Sequence, residues 1–271
     1  MTDKLIEQFY EKAEKIDFNV TGLLLGGLNV LTLGSDSKLI GRIFELLSTE
    51  VLMGICKDNN WILEETESQT VYPDFTIIKE NGEKIAVDIK TTYRKYNRNG
   101  ETLRYSFTLG SYASFLRNNI KNIAYPYDQY AKHYVIGFVY DRNPKSKAGQ
   151  MININEQKIE PPFTNVEYFI QEKYKIGGDK PGSGNTENIG TIHSNNINDF
   201  KNGLGMFSTL GNEVFEDYWR GFPKYRATTR DYTTLQEYLE KKIKVNSNYS
   251  SLFLIKHSTI EFLFVAFAPT W

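Results

Sequence analysis

From residue 3 to residue 16, Leu5, Ile6, Phe9, Tyr10, Ala13 and Ile16 recur at helical spacing, which predicts an amphipathic helix. Residues 20–33 are rich in Leu and Gly, and Gly26-Gly27 between two short apolar runs predicts a hairpin. Ser35, Asp36 or Ser37 can cap a second helix, with Leu39, Ile40, Ile43, Phe44 and Leu47 facing the core. Strands are expected at 61–66, 75–78 and 85–89, the last two joined across Asn81-Gly82, a strong short-range turn signal. A short helix over 114–123, a buried strand over 133–140 and a further strand over 166–171 follow. Residues 177–190 form a Gly/Ser/Asn-rich loop long enough to be functional, and 215–220 and 235–242 have helical patterns. Without an internal repeat or a low-complexity linker, the pattern is one α+β unit, with a small lobe from the first hairpin. Within 250–271, residues 260–268 are apolar except for Glu261 but too few to span a bilayer; a terminal strand or hairpin is expected there, with no function assigned.

Composition narrows the function classes. The 271 residues are 40% hydrophobic and 24% charged, which suits a folded globular chain. Cys56 is the single cysteine, so a disulfide scaffold, a CxxC redox centre and a cysteine-rich zinc site are excluded. His133, His193 and His257 are too scattered for a histidine metal site. The charged N-terminus has no signal-peptide core and no apolar run reaches membrane-spanning length, so a soluble cytoplasmic protein is expected. A formal charge of −1 argues weakly against a nucleic-acid partner, but local potential counts for more than the sum. The aromatic fraction of 14% is assigned to packing.

The chemistry is concentrated in Tyr72-Pro73-Asp74 and in Ala86-Val87-Asp88-Ile89-Lys90. Residues i and i+2 of a strand share a face, so Asp88 and Lys90 point the same way while Val87 and Ile89 point into the core. With Asp74 on the hairpin partner, two carboxylates and a phosphate oxygen would suit Mg²⁺, and the lysine would suit metal-assisted phosphodiester hydrolysis. The register is the test. A two-residue turn at Asn81-Gly82 sets Asp74 opposite Ile89 and turns it away from Asp88, so the site needs an odd-length loop or a β-bulge between Thr76 and Ala86. The same residues would also make an ordinary Asp–Lys pair on a surface hairpin.

Longer blocks carry a resemblance. VYPDFTI, KIAVDIKTTY, FTLGSYASFLRNNIKNIAYPYDQY and GGDKPGSGNTENIGTIH, with LGSDSKLIGRIFEL before them and FEDYWR after, resemble the type II restriction endonucleases of the PD-(D/E)xK nuclease superfamily. The resemblance covers about residues 1–230. It implies a mixed central β-sheet flanked by helices, with residues 1–35 contributing a dimerisation lobe, 36–245 the catalytic and DNA-binding body, and 246–271 the apolar tail.

The resemblance assigns Asp74 and Asp88 as Mg²⁺ ligands, Lys90 as the catalytic lysine and Glu45 as an accessory acid. It implies that Gly182, Ser183, Gly184, Asn185 and Thr186 form a loop that reads base edges in the major groove, a role glycine-permitted backbone approach and an Asn–adenine pair would suit. Gln69 falls in a minor-groove loop, where the family's following Asn-His is Thr70-Val71 here. Thr91, Thr92, Tyr93, Ser114 and Lys121 match phosphate-contacting positions, and Lys38 matches a position of unassigned role. Arg117, Lys121, Arg220, Lys224, Arg226 and Arg230 are the basic residues expected along a DNA-facing cleft.

The implied activity is that of a homodimer cutting duplex DNA at a short palindrome, GATATC, at its centre to leave blunt ends, with a cognate DNA methyltransferase in the same host. Two other functions compete. A nuclease of the same core could serve repair or junction cleavage, which the base-reading loop opposes. A protein that only binds DNA is opposed by the intact Asp74, Asp88 and Lys90.

Overall fold

The computed structural model describes residues 3–66, 68, 70–155, 157–182 and 187–247. Helices run over Lys4–Ala13 (α1), Ser37–Asn59 (α2), Lys173–Ile176 (α3), Ile197–Lys201 (α4), Asn212–Gly221 (α5) and Leu235–Ser247 (α6). Strands are Gly22–Leu24 (β1), Asn29–Leu33 (β2), Ile62–Glu65 (β3), Phe75–Ile78 (β4), Lys84–Tyr93 (β5), Thr108–Ser111 (β6), Tyr130–Arg142 (β7), Ala148–Asn153 (β8), Phe163–Glu172 (β9), Gly177–Pro181 (β10) and Asn188–Thr191 (β11).

The central sheet has the order β3-β4-β5-β7-β9. It is antiparallel from β3 to β5, parallel between β5 and β7, and antiparallel again to β9. Both faces are covered, as a strand with a parallel neighbour requires. On one face lie α1 and α2, packed on Phe75, Ile77, Val87, Ile89, Ile136 and Phe138. Phe44 of α2 stacks on Phe138 with centroids 4.5 Å apart. The other face carries a second core, rich in Tyr, Phe and Trp, which gathers β6, β11, α4, α5 and α6 over Ala86, Val135, Val139 and Phe169. The aromatic excess is therefore packing material.

Two smaller three-stranded sheets, β1-β2-β8 and β10-β11-β6, complete the topology. The first contains the expected 20–33 hairpin, to which β8 adds an edge that no sequence pattern announces. Three expectations are corrected. Residues 114–123 form successive turns rather than a helix. Asn122 is in the left-handed region (φ 55°) and the Asn119 side chain accepts from the Asp128 N–H, so asparagines compete with helical hydrogen bonds. Leu39 is 39% exposed, not in the core. Residues 177–190 are not one loop: β10 and β11 occupy its two ends, because a Cβ at Gly178 or Gly190 would collide with the facing backbone and glycine lets the strands close. The tail 250–271 lies outside the described residues. Among the described residues, no helix is long and apolar enough to cross a membrane.

Candidate active site

β4 and β5 pair as Phe75↔Val87, Thr76↔Ala86, Ile77↔Ile85 and Ile78↔Lys84. Lys79 N–H donates to the Glu83 carbonyl and Gly82 N–H back to the Lys79 carbonyl, leaving a three-residue loop, Glu80-Asn81-Gly82, with Gly82 at φ 81°. This is the odd-length connection that the two carboxylates require. Continued by one residue, the register sets Asp74 opposite Asp88, on the face they share with Lys90.

β5 is buried through five successive residues, Ile85, Ala86, Val87, Asp88 and Ile89. An aspartate 4% exposed in that run has no packing rationale, because burying a carboxylate costs free energy unless it is paired. Lys90 Nζ lies 2.6 Å from Asp88 Oδ2, and it also donates to the Ile89 carbonyl at 3.1 Å. Apart from this ion pair, Asp88 Oδ2 is buried with no hydrogen-bond partner among the described residues. Asp74 Oδ2 accepts the Ile89 N–H at 2.6 Å.

Electrostatics separate the three groups. Burial, then repulsion from Asp88, pushes the Asp74 carboxyl up to about 7, against the opposing pull of Lys90 and the Ile89 N–H. Burial works against the Lys90 charge, but Asp88 and Asp74 outweigh it and hold the ammonium above the ordinary lysine value. Lys90 is therefore a cation at neutral pH, not a free base.

Glu45 reaches the same region from α2. That helix begins where the Asp36 side chain accepts the Lys38 and Leu39 N–H groups. Phe44 is fully buried, and Glu45 beside it emerges at the rim. Glu45 pairs with Arg42 at 2.9 Å, and Arg42 reaches Glu65 on β3 at 3.0 Å. A cleft of about 500 Å³ is lined by Arg42, Glu45, Glu65, Thr66, Ser68 and Asp74. The structure thus gathers Asp74, Asp88, Lys90 and Glu45.

The remaining candidates lie on several separate elements. Thr91, Thr92 and Tyr93 continue β5 beyond Lys90 and are half-buried. The Tyr93 ring carries the Arg142 guanidinium 5.0 Å and the Lys95 amine 5.6 Å from its centroid. Ser114 and Lys121 share one turn, where the Ser114 hydroxyl donates to the Lys121 carbonyl at 3.1 Å. Lys38 is exposed at the start of α2. Gly182 closes β10 against β11, donating to the Asn188 carbonyl at 3.0 Å, with Thr108 where a side chain would go. Gln69, Ser183, Gly184, Asn185 and Thr186 lie outside the described residues.

Two of the expected basic residues are engaged within the fold. The Arg117 guanidinium donates to the carbonyls of Arg220 and Phe222, and Arg220 pairs with Glu216 at 3.5 Å. Lys224 and Arg226 line an open pocket with Glu187. Sequence reasoning overlooked Lys173, whose amine is buried beside Tyr72. Its setting, Gln171-Glu172-Lys173, has the look of a polar strand end, so no local signal marks it.

The restriction endonuclease EcoRV family model matches residues 14–243. The type II restriction enzyme EcoRV of Escherichia coli is 43% identical over 239 residues, which cover 86% of this chain and 94% of that enzyme. Among solved structures, the NlaIV restriction endonuclease aligns over 89% of each chain at 13% identity and a TM-score of 0.38, too distant a likeness to carry weight.

Proposed function

Because the chain belongs to the EcoRV family of restriction endonucleases, and is thus a type II site-specific deoxyribonuclease, we propose that Asp74, Asp88 and Lys90 are its cleavage centre, with Mg²⁺ as cofactor and GATATC as the cut site. The carrying observation is the register that opposes Asp74 to Asp88 with Lys90 two residues on. The donor set fits the ion: the buried Asp88 carboxylate, paired with Lys90, faces the part-buried Asp74 carboxyl, which desolvation and then its neighbour's charge push up. Among the described residues no group of three or more His, Cys, Asp or Glu could hold a metal, so the remaining ligands would be water and the DNA phosphate.

When bound, Mg²⁺ would supply Lewis-acid polarisation of the scissile phosphate. Asp74, just before β4, and Asp88, on β5, would hold it. A water oxygen attacks phosphorus in line and releases its proton to solvent, the bond to the 3′ oxygen breaks and that oxygen takes a proton from solvent, and the products are a 5′-phosphate and a 3′-hydroxyl. Lys90, kept protonated by the two carboxylates, donates to the water or to the developing phosphorane charge and does not take the water's proton. Glu45 at the cleft rim serves as an accessory acid held by Arg42.

Recognition falls to Gly182 and the following Ser183, Gly184, Asn185 and Thr186, with Gln69 addressing the minor groove and Thr91, Thr92, Tyr93, Ser114 and Lys121 the phosphates. A homodimer matches a palindrome half-site by half-site. Its support is the small β1-β2-β8 sheet, which leaves Leu23 and Met151, both on the face of Leu31, exposed on one side and Leu24 exposed on the other. Residues 1–35 are the dimerisation lobe and 36–245 the body in this proposal, with a cognate methyltransferase protecting host DNA in the cytoplasm.

The test is digestion of a plasmid with a single GATATC, with and without Mg²⁺, followed by sequencing of the ends. Blunt, Mg²⁺-dependent ends at that site are expected. Cuts at another fixed sequence would keep the enzyme class and move the specificity, with Thr70 and Val71 the first residues to examine. Cleavage undiminished by chelation would remove the metal role.

A further inference from the structure

Lys173 follows β9 directly, is 2% exposed, and its Nζ has no hydrogen-bond partner among the described residues. Lysine is almost never so buried without a partner, because desolvating an ammonium is costly. The cost has a partial offset. Nζ lies 4.7 Å from the centroid of Tyr72 and 5.0 Å from that of Phe115, and these rings stack on each other at 4.3 Å. Burial pulls the amine down to about 8, Asp88 and Glu216 oppose that pull and Lys90 adds to it, so the group still carries its charge at neutral pH.

The register places this charge behind the cleavage centre. Ala86 pairs with His133, and Tyr134 with Glu172, so Lys173 continues the row of Ala86 and His133, on the face that carries Asp88. Tyr72 is clasped from several sides there. Its hydroxyl meets His133 Nδ1 at 2.8 Å, its N–H donates to the Asn122 carbonyl at 3.0 Å and its carbonyl accepts from Ala124 at 2.8 Å. Two residues later the chain presents Asp74.

We propose that Lys173 is a positioning residue of the cleavage centre, its buried ammonium holding the Tyr72 ring against Phe115 and so fixing the backbone that presents Asp74. This rests on the assignment of Asp74 and Asp88 to cleavage. An apolar side chain of similar length would fill the same space without the desolvation cost. A structural purpose alone would therefore favour methionine, and the charge is explained by what it orients.

The experiment compares the wild type with Lys173→Met, Lys173→Arg, Phe115→Leu and the double Lys173→Met/Phe115→Leu. It measures kcat and KM on a duplex carrying the cut site, and Tm without metal. Lys173→Met is expected to lower kcat about 10-fold to 100-fold, the scale of a sub-ångström to ångström misplacement, with KM unchanged and Tm no lower. Lys173→Arg, which keeps the charge and stacks on aromatic faces, should recover most of the loss. The double variant should be no slower than Lys173→Met alone, because both changes release the same ring.

Wild-type kcat in Lys173→Met overturns the proposal, as does a loss that falls on kcat and KM alike, or one that tracks a lower Tm without rescue by arginine. Should Lys173→Met fail to fold, Phe115→Leu decides: a lower kcat at unchanged KM supports the clasp, and wild-type kcat overturns it. A wild type that cuts no duplex overturns the cleavage assignment itself, an outcome distinct from an active wild type matched by its variants.

Discussion

Asp74→Asn should abolish cleavage and, at alkaline pH, make the metal-free protein harder to melt. The loss of rate is expected to be at least about 10³-fold, the scale of removing a group that stabilises charge in a transition state. The gain in stability follows from the carboxyl's environment. Its pKa is about 7 in the fold against 3.8 as the ordinary value, so the folded state prefers the protonated form. Between these values the folded protein retains a proton that the unfolded chain has released, and stability falls as pH rises from about 4 to about 7. Asparagine resembles the protonated acid and escapes that fall. At pH 4 the Tm of the variant should sit near wild type. At pH 8 it should exceed wild type by at least about 2–4 °C, the shift that about 1 kcal/mol makes in a domain of this size. Calorimetry at the two pH values checks the sign, and an equal or lower Tm at pH 8 would mean that Asp74 is not ionised at a cost. Asp88→Ala and Lys90→Ala should lose cleavage similarly while remaining folded, and turnover retained in either removes that residue from the centre.

Cleavage by the wild type should weaken in acid in a way that added Mg²⁺ repairs. Asp74 must be ionised to hold a cation, and proton and metal compete for the same oxygens. Below pH 7 the rate at fixed, sub-saturating Mg²⁺ should drop about tenfold per pH unit, and raising Mg²⁺ should move the acid limb to lower pH. Lys90 does not produce this limb, since its pKa is raised and it stays protonated throughout. Rate–pH profiles at two Mg²⁺ concentrations are sufficient. An acid limb indifferent to Mg²⁺ would assign it to a group away from the metal.

Much of this site was legible before any coordinates. The alternation Val87-Asp88-Ile89-Lys90 gave the shared face directly, because strand geometry permits no other outcome. The need for an odd connection followed from counting, and the Glu80-Asn81-Gly82 loop supplies it. What strand counting could not give was the second wall. Ala86 and Asp88 face a second aromatic core assembled from segments scattered between Tyr72 and Tyr238, so Asp88 is buried rather than set on an open surface. Glu45 was reachable only through resemblance, since its place at the cleft depends on how α2 crosses the sheet. The 114–123 helix was misjudged because apolar spacing outweighed its asparagines, and β10 and β11 because glycine signals loops and tight strand contact alike. Lys173 was invisible for a similar reason: charge at a strand end ordinarily means solvent, and the rings against which its amine lies, Tyr72 and Phe115, are distant in sequence.

The turn between β4 and β5 has a meaning for how such a gene can drift. Its tip, residues 80–82, is exposed, and the fold has little reason to resist a residue gained or lost there. The chemistry has every reason. One residue more or fewer between Ile78 and Lys84 would slide the partner strand by a single step if the connection kept its three-residue loop, and leave Asp74 facing away from Asp88. Two residues more would restore the alignment. Length changes at this tip should therefore survive selection in pairs, and a lineage with a single-residue indel should carry a compensating one elsewhere in the same hairpin or have ceased to cut DNA.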